Sequence, residues 1–66
     1  MKLELNGKSE ELTGVNTLSE LIAARYSASE NLIVEYNEKI AGREVWPRTQ
    51  LRDGDKILIM SIVGGG

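Results

Sequence analysis

The run Lys56-Ile57-Leu58-Ile59-Met60-Ser61-Ile62-Val63 is the longest apolar stretch in the chain. Apolar residues occupy both of its faces. That predicts a strand lying centrally in a sheet, or one whose outer face is covered by something else. Alternation sends Ile57 and Ile59 toward a helix-covered core, together with Leu3, Leu5 and Val34. Leu58, Met60 and Ile62 then point the other way, and Ile33 shares their face. Single exposed apolar residues are common. A contiguous group of them is a different matter, since such patches often mark partner sites.

Upstream of that run, Asp53-Gly54-Asp55 is tight-turn sequence. Two carboxylates there are too few for calcium, which needs six to eight oxygens. Leu32-Ile33-Val34-Glu35-Tyr36 is rich in β-branched and aromatic residues and predicts another strand. Asn37-Glu38 is read as a turn into a short strand around Lys39 and Ile40. Gly42 to Thr49 is expected to be irregular, with Pro47 breaking any long element and Trp46 packing the segment down. Trp is also enriched at binding hot spots, but a lone Trp beside a Pro is more often a packing residue.

Near the N-terminus, Leu3 and Leu5 alternate with Lys2 and Glu4, the mark of a half-buried strand. Asn6-Gly7 favours a two-residue type I′ turn, because both positions need positive φ. The returning strand is expected from about Lys8 to Leu12. Thr17-Leu18-Ser19-Glu20 reads as a capping box. Leu18, Leu21 and Ile22 then share one face of a helix over about 18–25, and Arg25 suits the negative end of its dipole. The order is hairpin, helix, strand, short strand, long strand. This predicts an α+β domain, a mixed sheet with one main helix packed on one face. The first and last strands can lie side by side, carrying the C-terminus beyond the end of the sheet.

Composition bounds the function. The chain has 66 residues, read as one domain over 1–66. So short a chain buries only about 60% of its unfolded surface, leaving little room for a substrate cleft. It has no Cys and no His. Thiolate metal sites, Cys nucleophiles and the commonest general base are therefore missing. Tyr26 and Tyr36 have no base or metal around them and are read as structural. An enzyme is not expected, nor is any catalytic, cofactor-binding or metal-binding residue. The net charge is −2 and the isoelectric point about 5.0, so no nucleic-acid partner is expected. No apolar run approaches the roughly 20 residues of a membrane span, and the alternation in Met1 to Leu5 is unlike a signal peptide. A cytoplasmic location is expected. An apolar content of 41% suffices for a folded domain.

The chain ends in Gly64-Gly65-Gly66. Glycines at a terminus can simply be frayed. Here they follow directly from an apolar strand, so 64–66 is read as a flexible C-terminal tail presented by a rigid domain. Without Cβ atoms, Gly64 and Gly65 can enter a narrow channel that a side chain would block. The Gly66 carboxylate is a poor electrophile. Adenylation with ATP would give it a good leaving group, and sulfur could then replace one oxygen.

Asn6-Gly7, Thr17-Leu18-Ser19-Glu20-Leu21, Val34-Glu35-Tyr36-Asn37, Arg43-Glu44-Val45-Trp46, Leu51-Arg52-Asp53-Gly54-Asp55 and Val63-Gly64-Gly65-Gly66 fall in the order of the thiamin-biosynthesis sulfur carrier family (ThiS). The whole chain resembles that family. The resemblance implies a ubiquitin-like β-grasp fold. It implies that the Gly66 carboxylate is adenylated by an E1-like adenylyltransferase and converted to a thiocarboxylate with sulfur from a donor protein. Thiazole synthase would then receive the sulfur. ATP would be used by the activating enzyme and not bound by this chain alone. Many relatives end in two glycines, so Gly65 and Gly66 would be the functional pair and Gly64 an extension. The molybdopterin-synthase sulfur carriers share fold, tail and chemistry, and a ubiquitin-like protein modifier is a further alternative. Relatives on the molybdopterin branch are usually longer, with prolines before the tail. Met60-Ser61-Ile62-Val63 at that place favours the thiamin branch. The partner-binding patch is expected at Leu58, Met60, Ile62 and Ile33.

Overall fold

A computed structural model describes residues 1–27 and 30–62. Asn6 and Gly7 have φ of 51° and 83°, the two positive values that a type I′ turn requires. They join β1 (Lys2–Leu5) to β2 (Lys8–Glu11). The sequence predicts a second strand from about Lys8 to Leu12. It ends one residue earlier, although the Leu12 N–H still donates to the Met1 carbonyl at 2.7 Å.

The helix α1 (Leu18–Arg25) has the capping box that its sequence announces. The Glu20 N–H donates to Thr17 Oγ1 at 3.2 Å, and Glu20 Oε1 accepts from the Thr17 N–H at 3.1 Å. Two orphan donors of the first turn are thereby satisfied. Leu18, Leu21 and Ile22 are buried. Each stabilises the fold by roughly 1.5–3 kcal/mol through apolar area removed from water. At the other end Arg25 does more than face the helix dipole. Its guanidinium meets the Glu10 carboxylate with two hydrogen bonds, of 3.2 and 2.5 Å. That pair ties β2, which has no buried apolar residue, to the helix.

β3 (Leu32–Tyr36), β4 (Lys39–Ile40) and β5 (Lys56–Ser61) complete a sheet of order β2-β1-β5-β3-β4. β5 is central, parallel to β1 and antiparallel to β3. Val34, Ile57 and Ile59 are buried with Leu3 and Leu5 under α1, as alternation predicts. The segment expected to be irregular holds a 3₁₀ helix, Arg43–Arg48, with Pro47 inside it. The fixed φ of proline lies within the 3₁₀ range, so in so short a helix the ring removes one donor without breaking the turn. Trp46 anchors this helix. It is buried, and its indole N–H donates to the Ala41 carbonyl at 2.9 Å.

The turn before β5 is held by its aspartates. Asp53 Oδ1 accepts from the Lys2 N–H at 2.8 Å, and Gly54 has φ 87°. Asp55 is buried and accepts from the Tyr36 hydroxyl at 2.6 Å, the Arg52 N–H at 2.8 Å and Asn37 Nδ2 at 3.2 Å. These bonds join the start of β5 to the end of β3.

Candidate docking face and tail

The outer face of the sheet is set by register. On β3 and β5, Ile33 stands opposite Met60 and Glu35 opposite Leu58. On β4, Ile40 stands opposite Glu35. Residues paired in this way project to the same side. Leu58, Met60 and Ile62 are 36%, 44% and 48% exposed, whereas Ile57 and Ile59, alternating with them, are buried. Ile33 is half-buried beneath this group. The four residues singled out from the sequence therefore lie together on the face away from α1.

Ile40, 69% exposed, extends the same face. Sequence reasoning missed it, although a signal was present. The two-residue turn at Asn37-Glu38 fixes the pairing of Tyr36 with Lys39. Once that pairing is set, alternation places Ile40 beside Glu35.

The face is not uniformly apolar. Toward the Asn6-Gly7 turn it forms a shallow hollow lined by Glu4, Glu35, Glu38, Lys56 and Leu58. Lys56 lies 3.7 Å from the Glu38 carboxylate, with both side chains exposed, so this pair is worth little in water. Three carboxylates against one ammonium leave this half acidic. The other half, around Met60 and Ile62, is apolar.

The chain leaves the sheet from that apolar half. The Ile62 N–H donates to the Asn31 carbonyl at 2.8 Å, and the Ser61 hydroxyl donates to Glu30 Oε2 at 3.1 Å. Gly64, Gly65 and Gly66, singled out as the tail and its sulfur-carrying end, lie outside the described residues. Among the described residues no group of acidic side chains is placed to hold a metal ion. No helix among them is long and apolar enough to cross a membrane.

Comparison with known proteins bears on this arrangement. The ThiS family model matches residues 3–66. The sulfur carrier protein ThiS of Bacillus subtilis (strain 168) is 37% identical over 65 residues, covering 97% of this chain and 98% of the relative. A thiazole synthase of Paramagnetospirillum magneticum is 30% identical over 66 residues, covering all of this chain but 20% of the relative. The chain thus resembles a fifth of that longer protein. The crystal structure of a thiamine biosynthesis protein (ThiS) from Geobacter metallireducens superposes with a TM-score of 0.81 at 32% identity, covering all of both chains. The fold is the ubiquitin-like β-grasp.

Proposed function

The chain belongs to the ThiS family of sulfur carrier proteins, and from that premise we propose how it is gripped and loaded. It is a sulfur carrier in thiamin biosynthesis, not a catalyst. The outer face of Ile33, Leu58, Met60 and Ile62, extended by Ile40, docks the carrier on its enzymes. The tail then enters their active sites, with Gly64 and Gly65 as the thin segment and Gly66 as the loaded end. An E1-like adenylyltransferase converts the Gly66 carboxylate to an acyl-adenylate at the expense of ATP. Sulfur delivered from a donor protein at the sulfide level attacks the acyl carbon and displaces AMP, which leaves with one carboxylate oxygen, to give the thiocarboxylate, and thiazole synthase takes the sulfur. These steps are assigned to the cytoplasm, and this chain contributes the carried atom rather than a bound cofactor.

One observation supports this reading best. Met60, paired with Ile33 across β3 and β5, sits on the strand whose sequence runs on into the glycines, so an enzyme that holds this face is held close to the tail. The likeness to part of a thiazole synthase supports that enzyme as the recipient. It also favours the thiamin branch over the molybdopterin branch.

The test is mass spectrometry of the chain after incubation with the activating enzyme, ATP and a sulfur donor. The expected product has one oxygen at Gly66 replaced by sulfur. The chain lacking Gly65 and Gly66 should gain nothing. A ladder of conjugates to lysines would instead mark a protein modifier.

A further inference from the structure

Alternation along β5 divides its main-chain groups between two neighbours. The Asn37 N–H donates to the Lys56 carbonyl at 2.7 Å, and the Ile62 N–H to the Asn31 carbonyl at 2.8 Å. The even-numbered residues therefore turn toward β3, and Ile57, Ile59 and Ser61 turn toward β1. β1 does not reach that far. Its pairing with β5 stops at Leu5 opposite Ile57. Beyond it, the Asn6 N–H donates to the Ile57 carbonyl at 2.9 Å, and Asn6 Oδ1 accepts from the Ile59 N–H at 2.7 Å. The hairpin then turns away. The Ile59 carbonyl and the Ser61 N–H and carbonyl face the space past it, with no main-chain partner among the described residues. Ser61 is exposed, and its hydroxyl is engaged with Glu30 instead of covering this edge.

Acceptor, donor, acceptor along an extended segment is what one strand offers another. An apolar surface pressed against it would strand three polar groups. We propose that this half-edge of β5, Ile59 to Ser61, takes an extended main-chain segment of thiazole synthase as a short added strand above the Asn6-Gly7 turn. The inference rests on the reading of thiazole synthase as the recipient enzyme. Alternate side chains of the added strand lie beside Met60 on the outer face, so they are expected to be apolar. Main-chain pairing and the apolar face then act together at the root of the tail.

The chain is short enough for total synthesis, so the Ser61 N–H can be replaced by an ester oxygen with the side chain unchanged. That N–H does not serve β3, and thermal unfolding checks that the sheet is retained. Affinity for purified thiazole synthase of the same organism is measured for the natural chain, the ester chain and Met60→Asp. Amide exchange at Ser61 is followed in the free and bound natural chain. The Ser61 N–H should exchange fast when free and slowly when bound. The ester chain should bind about threefold to tenfold more weakly, the range for one main-chain hydrogen bond. An unchanged affinity of the ester chain, or fast exchange at Ser61 in the complex, overturns the proposal. Weak binding by Met60→Asp in that case leaves the outer face as the docking surface without the edge. No binding by the natural chain removes both.

Discussion

Asn6 Oδ1 accepts the Ile59 N–H at 2.7 Å across 53 positions of sequence. A turn residue chosen for its positive φ thus also supplies the rung that β1 is too short to provide. Asn6→Gly should keep the turn and leave that N–H without a partner. The expected cost is about 1–3 kcal/mol of unfolding free energy, read from urea unfolding. Asn6→Asp keeps an acceptor and should lose less.

Glu38 has φ 72° beside Asn37 at 51°. A left-handed conformation costs an ordinary residue roughly 1–2 kcal/mol, and glycine adopts it freely. The ion pair lost with Glu38 is exposed and weak. Glu38→Gly should therefore raise stability by about 1 kcal/mol, which for a domain of this size is about 4–8 °C in Tm. A lower Tm in calorimetry would contradict this account of the turn.

Burial and the hydrogen bond to Asp55 push the Tyr36 phenol up to about 12. In the unfolded chain a phenol titrates near about 10. Between those values the folded chain retains a proton that the unfolded chain has lost. Stability from this site is therefore full below about pH 10 and falls as pH rises toward 12. Thermal unfolding across that window should show the decline. Tyr36→Phe should flatten it while lowering stability at neutral pH, because Asp55 loses a donor at 2.6 Å.

Met60 is exposed on the outer face opposite Ile33. Met60→Asp should change stability by no more than about 0.5 kcal/mol, as surface substitutions do. It should weaken binding to the activating enzyme by tenfold or more, an effect of hot-spot size. Unchanged adenylation kinetics would remove this face from the docking site. Ile40→Asp tests the extension of the face in the same assay.

Most of the fold was legible because its signals are local. Asn6-Gly7 dictates its own turn, Thr17 and Glu20 cap their own helix, and alternation through Ile57 and Ile59 marks its own buried face. What escaped depends on contacts between distant segments. The sequence predicts no long element around Pro47 and a packed Trp46, and both hold; the short 3₁₀ helix that contains them does not show in the sequence, because it depends on Trp46 being buried against the core. The Glu10–Arg25 pair joins residues 15 positions apart, and only the packed helix brings them together. Asp55 reads as a turn residue, and its grip on Tyr36 emerges only when β3 and β5 are paired. The outer face was legible on β5, where alternation is unbroken. Its extension to Ile40 was not, because two residues of β4 carry no periodicity of their own.

The place of β5 between β1 and β3 has a mechanical consequence. Under the proposed function, an enzyme that draws on the glycines would pull along the axis of that strand. The load falls in shear on the hydrogen bonds to β3 along Ile57 to Ser61 and on those to β1 at the base of the strand, so the rungs share it instead of opening one after another. A hairpin at the edge of the sheet would peel rung by rung under the same pull. Anchored in the middle, the strand would bear the transfers proposed above without starting to unravel the domain behind it.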